Sequence, residues 1–187
     1  MPPVSRLPIV GVIGSNADAC PERAAAVGRW LAGQAVYLVT GGGGGVMGAV
    51  SRAFAEVPDR RGSVLGIVPA AGPDTPTVPK PGYPNEWVEI PIYTHLHLSG
   101  RHGEEPLSRN HLVVLTSAVI VALPGGVGTA SELRLALKYG RPVIAYLKSR
   151  GEIEGMPDGV RVEPDLEQVK EFVLRELSRS PSFLTGK

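Results

Sequence analysis

Apolar residues in this chain gather into short, unbroken runs, and most of the runs end at glycine or proline. Residues 7–13 (LPIVGVI), 35–40 (AVYLVT), 63–68 (SVLGIV), 118–123 (AVIVAL) and 142–147 (PVIAYL) are each of strand length. Alternating polar and apolar positions would mark a strand with one wet face. An unbroken run marks a strand buried on both faces, as in a parallel sheet covered by helices. Between the runs lie segments with helical spacing. Residues 22–31 stop at Gly33, residues 47–56 place Val50, Ala53 and Phe54 on one side, and residues 104–117 form a third. Residues 129–139 end at Gly140, and residues 166–177 make an amphipathic closing helix. The recurring order of strand, glycine-rich turn and helix predicts an α/β fold: one Rossmann-like, doubly wound, mostly parallel sheet with helices on both faces.

The rhythm breaks at residues 69–86, where Pro69, Pro73, Pro76, Pro79, Pro81 and Pro84 forbid a sustained helix or central strand. This is a loop inserted in one domain spanning 1–187, and a loop this long suits a segment that covers or shapes a site. Residues 87–94 (WVEIPIYT) predict a further strand, which Pro91 assigns to a sheet edge. Residues 149–165 are rich in glycine, proline and acids and are expected to be a loop.

Bulk composition narrows the function classes. Of 187 residues, 43% are hydrophobic and 20% charged, ordinary for a globular chain. With a net charge of +1 and no basic run beyond pairs such as Arg60-Arg61, binding of nucleic acid by bulk electrostatics is not expected. Cys20 is the only cysteine, so one chain can build neither a disulfide nor a cysteine-based zinc site, and a cytoplasmic setting fits. No stretch approaches the roughly 20 apolar residues of a membrane span, and residues 1–8 lack the apolar core of a signal peptide.

Chemistry concentrates at two glycine-rich turns, each following a predicted strand and opening a helix. Glycine lets backbone approach a ligand closely, free N–H groups point out of the helix start, and the helix dipole favours an anion there. In the first turn, Gly43-Gly44-Gly45-Val46-Met47-Gly48 has the G-x-G-x-x-G spacing of a dinucleotide fold. It follows the second strand rather than the first, and residues 63–71 hold no acid to meet a ribose, which argues against NAD. Neither turn continues into the Lys-Ser or Lys-Thr of a nucleotide P-loop. The second turn, Pro124-Gly125-Gly126-Val127-Gly128-Thr129, is followed by Glu132. A helical side chain leans back toward the N-terminus, so this carboxylate would share a pocket with the anion-binding turn. The same residues, Thr129-Ala130-Ser131-Glu132, also fit a capping box in which Thr and Glu only satisfy backbone donors.

The second motif, from Pro124 to Glu132, resembles the P-G-G-x-G-T-x-x-E signature of the Lonely Guy family. Residues Gly42, Gly43, Gly44, Gly45, Val46, Met47 and Gly48 resemble that family's first glycine motif, and Arg109 stands where the family has an arginine at the start of the preceding helix. The resemblance implies a Rossmann-like homodimer, or higher oligomer, that cleaves the N-glycosidic bond of nucleoside 5′-monophosphates to free base and ribose 5-phosphate without a cofactor. It implies Arg109 and Glu132 as the catalytic pair, with both glycine turns binding phosphate and sugar. A fixed carboxylate suits an oxocarbenium-like transition state, and Arg109 suits a bidentate contact to Glu132 or to phosphate. No separate acid to protonate the departing base is identifiable. Where the enzymes usually read Arg-Lys, this chain reads Arg109-Asn110. That form resembles a sister group that includes molybdenum cofactor carrier proteins, which implies a non-catalytic carrier of a pterin phosphate. An older label for the family, lysine decarboxylase, is rejected, because that chemistry needs a pyridoxal phosphate Schiff-base lysine and neither glycine motif holds a lysine.

The remaining candidates each have a plainer reading. Gly14, Ser15 and Asn16 follow the first strand, where they either reach a ligand or form a tight turn. His95, His97 and His102 suggest a metal only until one looks for a carboxylate or thiol at defined spacing, so no metal site is expected. His111 reads as a packing or surface residue. Trp87 either stacks on a ligand or belongs to the core. Cys20, at a helix start, is either an activated thiolate or a cap and small hydrophobe.

Overall fold

The computed structural model describes residues 6–179; residues 1–5 and 180–187 of the expected 1–187 domain lie outside it. Seven strands form one sheet: β1 (Ile9–Ile13), β2 (Tyr37–Thr40), β3 (Val64–Val68), β4 (Ile90–Tyr93), β5 (Val119–Ala122), β6 (Val143–Tyr146) and β7 (Arg161–Glu163). Their order is β4-β3-β2-β1-β5-β6-β7, and every pair is parallel. The sheet is therefore wholly parallel, a stricter arrangement than the mostly parallel one expected.

Five helices cover it: α1 (Pro21–Ala32), α2 (Gly45–Ala55), α3 (Asn110–Thr116), α4 (Val127–Lys138) and α5 (Leu166–Arg179). Because successive strand residues point to opposite faces, the core divides in two. Val10 and Val12 of β1 pack with α1, α2 and α5 through Val27, Leu31, Val50, Phe54, Val169 and Val173. Ile13, Ile120 and Ala122 pack on the opposite face with α3 and α4 through Val113, Val114, Leu133 and Leu135. This is the doubly wound arrangement.

Three expectations are corrected. The helix predicted over residues 104–117 begins only at Asn110, since Pro106 and a run of turns occupy the preceding residues. Residues 149–165 are not all loop: Arg161–Glu163 adds a seventh strand, and Arg150–Glu152 forms a 3₁₀ turn. The capping box is absent. Gly126, extended at φ −108°, is the N-cap of α4 and offers no side chain, which puts Thr129 and Glu132 inside the helix. As expected, β4 with its Pro91 is an edge strand, paired only to β3, with all four of its residues exposed. Among the described residues no helix is long and apolar enough to cross a membrane.

Candidate functional site

The direction of winding reverses between β1 and β5. The chain runs outward from β1 to β4 on one side, then returns beside β1 as β5 and continues outward to β7. Loops at the carboxyl ends of β1 and β5 must diverge at such a point, which leaves a crevice above the sheet. A cleft of about 350 Å³ lies there, within the range of small-molecule sites.

The backbone of Ser15 joins the two glycine turns that frame this cleft. Its N–H donates to the Pro124 carbonyl at 2.9 Å, and its carbonyl accepts the Val46 N–H at 2.8 Å. Gly45 makes the second contact geometrically accessible: it has φ +55°, and a Cβ there would run into Ser15 and Asn16. The Ser15 hydroxyl accepts from the N–H groups of Ala17 and Asp18, so it forms a turn as well as lining the cleft. Asn16 Oδ1 accepts from the Gly44 N–H at 3.1 Å and the Tyr83 hydroxyl at 2.9 Å.

The two turns have different occupations. In the first, the N–H groups of Gly42, Gly44, Val46 and Gly48 donate to Thr40 Oγ1, Asn16 Oδ1, Ser15 O and Gly44 O. Its Gly42 and Gly43 carbonyls accept from the Asn85 backbone and side chain. Only Met47 of this motif lines the cleft, while Gly44, Gly45 and Gly48 line a separate hollow beside Arg52 and Trp87. In the second turn, the Gly125 N–H is engaged by the Glu152 carbonyl. Those of residues 126–129 find no acceptor among the described residues, and all four residues line the cleft. These donors sit at the start of a twelve-residue helix, whose dipole adds to their pull on an anion.

Arg109 and Glu132 meet inside the cleft. Arg109, at the entry to α3, is 5% exposed and Glu132 is 7% exposed. The Arg109 Nη1 donates to Asn110 Oδ1 at 2.7 Å and, at the longer distance of 3.4 Å, to Glu132 Oε1. Its guanidinium lies against the backbone of Gly41, where any Cβ would collide with it, and its Nε is buried with no partner among the described residues. Asn110 Nδ2 in turn donates to Ser131 Oγ, whose hydroxyl donates to the Gly128 carbonyl. Burial pushes the Glu132 carboxyl up from 4.5 to about 7, with Arg109 opposing the rise through its charge and its hydrogen bond. Near neutrality this group can give or accept a proton.

Of the residues singled out in the sequence, Gly14, Ser15, Asn16, Met47, Arg109, Asn110, Gly126, Val127, Gly128, Thr129 and Glu132 converge on the cleft. Pro124 and Gly125 stand behind it, bonded to Ser15 and Glu152. Sequence reasoning missed Lys80, Tyr83, Ser99 and Gly100, which also line it. Lys80 carried one signal, as the only cation in the proline-rich segment 69–86.

The other candidates resolve as structure. His102 pairs with Glu105, and His111 bonds Tyr139 and the Glu105 carbonyl. His95 and His97 lie outside any strand, and no group of three metal-ligating side chains occurs among the described residues. Cys20 is the N-cap of α1 but makes no side-chain cap; its sulfur packs on the core, and burial raises its thiol pKa, opposing thiolate formation.

Comparison with known proteins agrees with the fold. A protein of Archaeoglobus fulgidus without assigned function is 34% identical over 151 residues, covering 79% of this chain and 84% of that one. Among solved structures, the molybdenum cofactor binding protein of Rippkaea orientalis superposes with a TM-score of 0.66 at 26% identity, covering 93% of this chain and 99% of that one. The Moco carrier protein of Chlamydomonas reinhardtii gives a TM-score of 0.62 at 28% identity, with the same coverage. The Lonely Guy resemblance read in the two glycine motifs holds at the level of the superfamily. Residues 7–170 match the family model, and the chain belongs to the SLOG cluster4 family.

Proposed function

We propose that this protein binds a small phosphorylated heterocycle, in the manner of a molybdenum cofactor carrier, with the phosphate on the open N–H groups of residues 126–129. Those donors carry the reading: they stand at a helix start in a cleft of small-molecule size and lack acceptors among the described residues. Two structural relatives above 25% identity, described as binding or carrying the molybdenum cofactor, support a pterin phosphate as the ligand. So does Arg109-Asn110, in which the asparagine engages the arginine directly.

To test it, the protein is mixed anaerobically with molybdenum cofactor released from a molybdoenzyme and passed through gel filtration. Pterin fluorescence after oxidation is then read in the protein peak. Co-elution of pterin and molybdenum supports the carrier reading, and a peak free of both refutes it. Assembly into a homodimer or higher oligomer belongs to the same reading, and a monomeric mass by light scattering would remove it.

The Glu132 carboxyl favours a second reading, hydrolysis of nucleoside 5′-monophosphates. With a pKa of about 7 it is suited to take a proton from water as the oxygen bonds to C1′ of the ribose and the C1′–N bond breaks. The base would leave with its electron pair and acquire a proton from solvent, since no second carboxylic acid lines the cleft among the described residues. Chromatography of a nucleotide panel for free base and ribose 5-phosphate tests this: release lost in Glu132→Ala supports it, and absence of release rejects it.

A further inference from the structure

The geometry points to Lys80, carried by the proline-rich segment, as the specificity-determining cation that makes this cleft select a phosphomonoester over the same heterocycle without its phosphate. The inference rests on the phosphate-binding reading above and names a residue for it.

Charge comes first. Three ionisable acid or base side chains that matter to an anion line the cleft: Lys80, Arg109 and Glu132. Arg109 is already occupied by Asn110 and Glu132 and packed against Gly41. Lys80 has no carboxylate partner among the described residues; its Nζ donates only to Ser99 Oγ, at 3.4 Å. A half-buried ammonium with no carboxylate partner among the described residues is a site for an anion.

Position comes second. Ser99 precedes Gly100, and a Cβ on Gly128 would lie 3.4 Å from the Gly100 Cα. The Lys80 ammonium is thus held at the same end of the cleft as the open N–H groups of residues 126–129, so one anion can be met by both. A phosphomonoester carries close to two negative charges at neutral pH, and the turn alone supplies only dipoles. A lysine there adds the full charge that separates such a group from a neutral hydroxyl.

The segment is built to hold this residue in place. Pro79 and Pro81 flank it with fixed φ, and the Lys80 N–H donates to the Pro69 carbonyl at 3.0 Å. Its carbonyl accepts from the Tyr83 N–H at 3.0 Å, and the Tyr83 hydroxyl is tied to Asn16. Asn85 then anchors the segment to Gly42 and Gly43. The backbone position of the ammonium is therefore fixed before any ligand arrives.

The experiment is calorimetric titration of the wild type, Lys80→Gln and Lys80→Arg with AMP and with adenosine, at several salt concentrations. Loss of a charge-assisted contact predicts roughly 10- to 100-fold weaker AMP binding in Lys80→Gln, unchanged adenosine binding and a shallower salt dependence. Lys80→Arg should restore much of the preference, which a merely structural lysine would not explain. Wild-type preference for AMP that survives in Lys80→Gln would overturn the role of Lys80 and leave the phosphate reading standing. A wild type that binds AMP no better than adenosine would overturn both.

Discussion

Replacing Glu132 by glutamine should stabilise the protein at alkaline pH and leave it almost unchanged in acid. The carboxyl is buried, and its pKa in the fold is about 7 against 4.5 when exposed. A raised folded-state pKa means that the native state holds the proton more tightly than the unfolded chain. Stability from this group is therefore complete below pH 4.5 and is lost as pH rises through 7. Each pH unit in that interval costs about 1.4 kcal/mol, so the full loss is roughly 3 kcal/mol by pH 8. Glutamine resembles the protonated acid and carries no such penalty. Denaturant unfolding of wild type and Glu132→Gln at pH 5, 6, 7 and 8 should show the variant gaining steadily on the wild type, with most of the gain between pH 5 and 7. A stability difference that stays flat over this range would refute the claim that Glu132 is a desolvated carboxyl held against its charged form. The same result would remove the physical basis for the proton-acceptor role proposed for it in hydrolysis.

Gly41→Ala should press a methyl group into the Arg109 guanidinium, costing about 1–3 kcal/mol of stability in denaturation and weakening AMP binding in calorimetry, because Arg109 must leave Glu132. Asn16→Ala unties the Gly44 N–H and the Tyr83 hydroxyl; these contacts are exposed, so the stability cost is about 1 kcal/mol, while hydrogen exchange at the backbone amides of Tyr83 and Asn85 should accelerate. Asn110→Leu removes the acceptor that holds Arg109 and the donor to Ser131, both buried, and should cost about 2–4 kcal/mol by chemical denaturation.

Most of the sheet was legible because a strand buried on both faces is built mainly of apolar residues, and β1, β2, β3, β5 and β6 follow that rule, with buried Thr40 at the end of β2 as the polar exception. Strand β7 escaped because an edge strand of three residues, Arg161-Val162-Glu163, needs only one neighbour and little burial, so its composition looks like loop. The start of α4 was placed two residues late. Val127 and Gly128 resemble turn residues, yet the helix begins with them because Gly126 can take the extended N-cap conformation. Of the two readings left open for Glu132, that small displacement removes the capping box and leaves the cleft. At the site, the open N–H groups of the second glycine turn were legible because they follow from a local strand-to-helix turn. The engagement of the first was not, because two of the acceptors that take its N–H groups, Ser15 and Asn16, come from the loop after another strand. Lys80, Tyr83, Ser99 and Gly100 were missed for the same reason: only the fold brings the proline-rich segment and the stretch before α3 over β1 and β5.

The peptide bonds on either side of Ser15 hold Pro124 through one hydrogen and Val46 through one oxygen, so both walls of the cleft hang from a single residue of β1's outgoing loop. A ligand arriving here does not have to draw two loops together. Their spacing is set when the sheet folds, and the entropy of aligning them is absent from the binding equilibrium. Such a receptor discriminates by charge and shape already in place rather than by closing around its guest, and release needs no reopening. In the proposed carrier role that would be a mechanical advantage: capture and surrender follow the same unobstructed route.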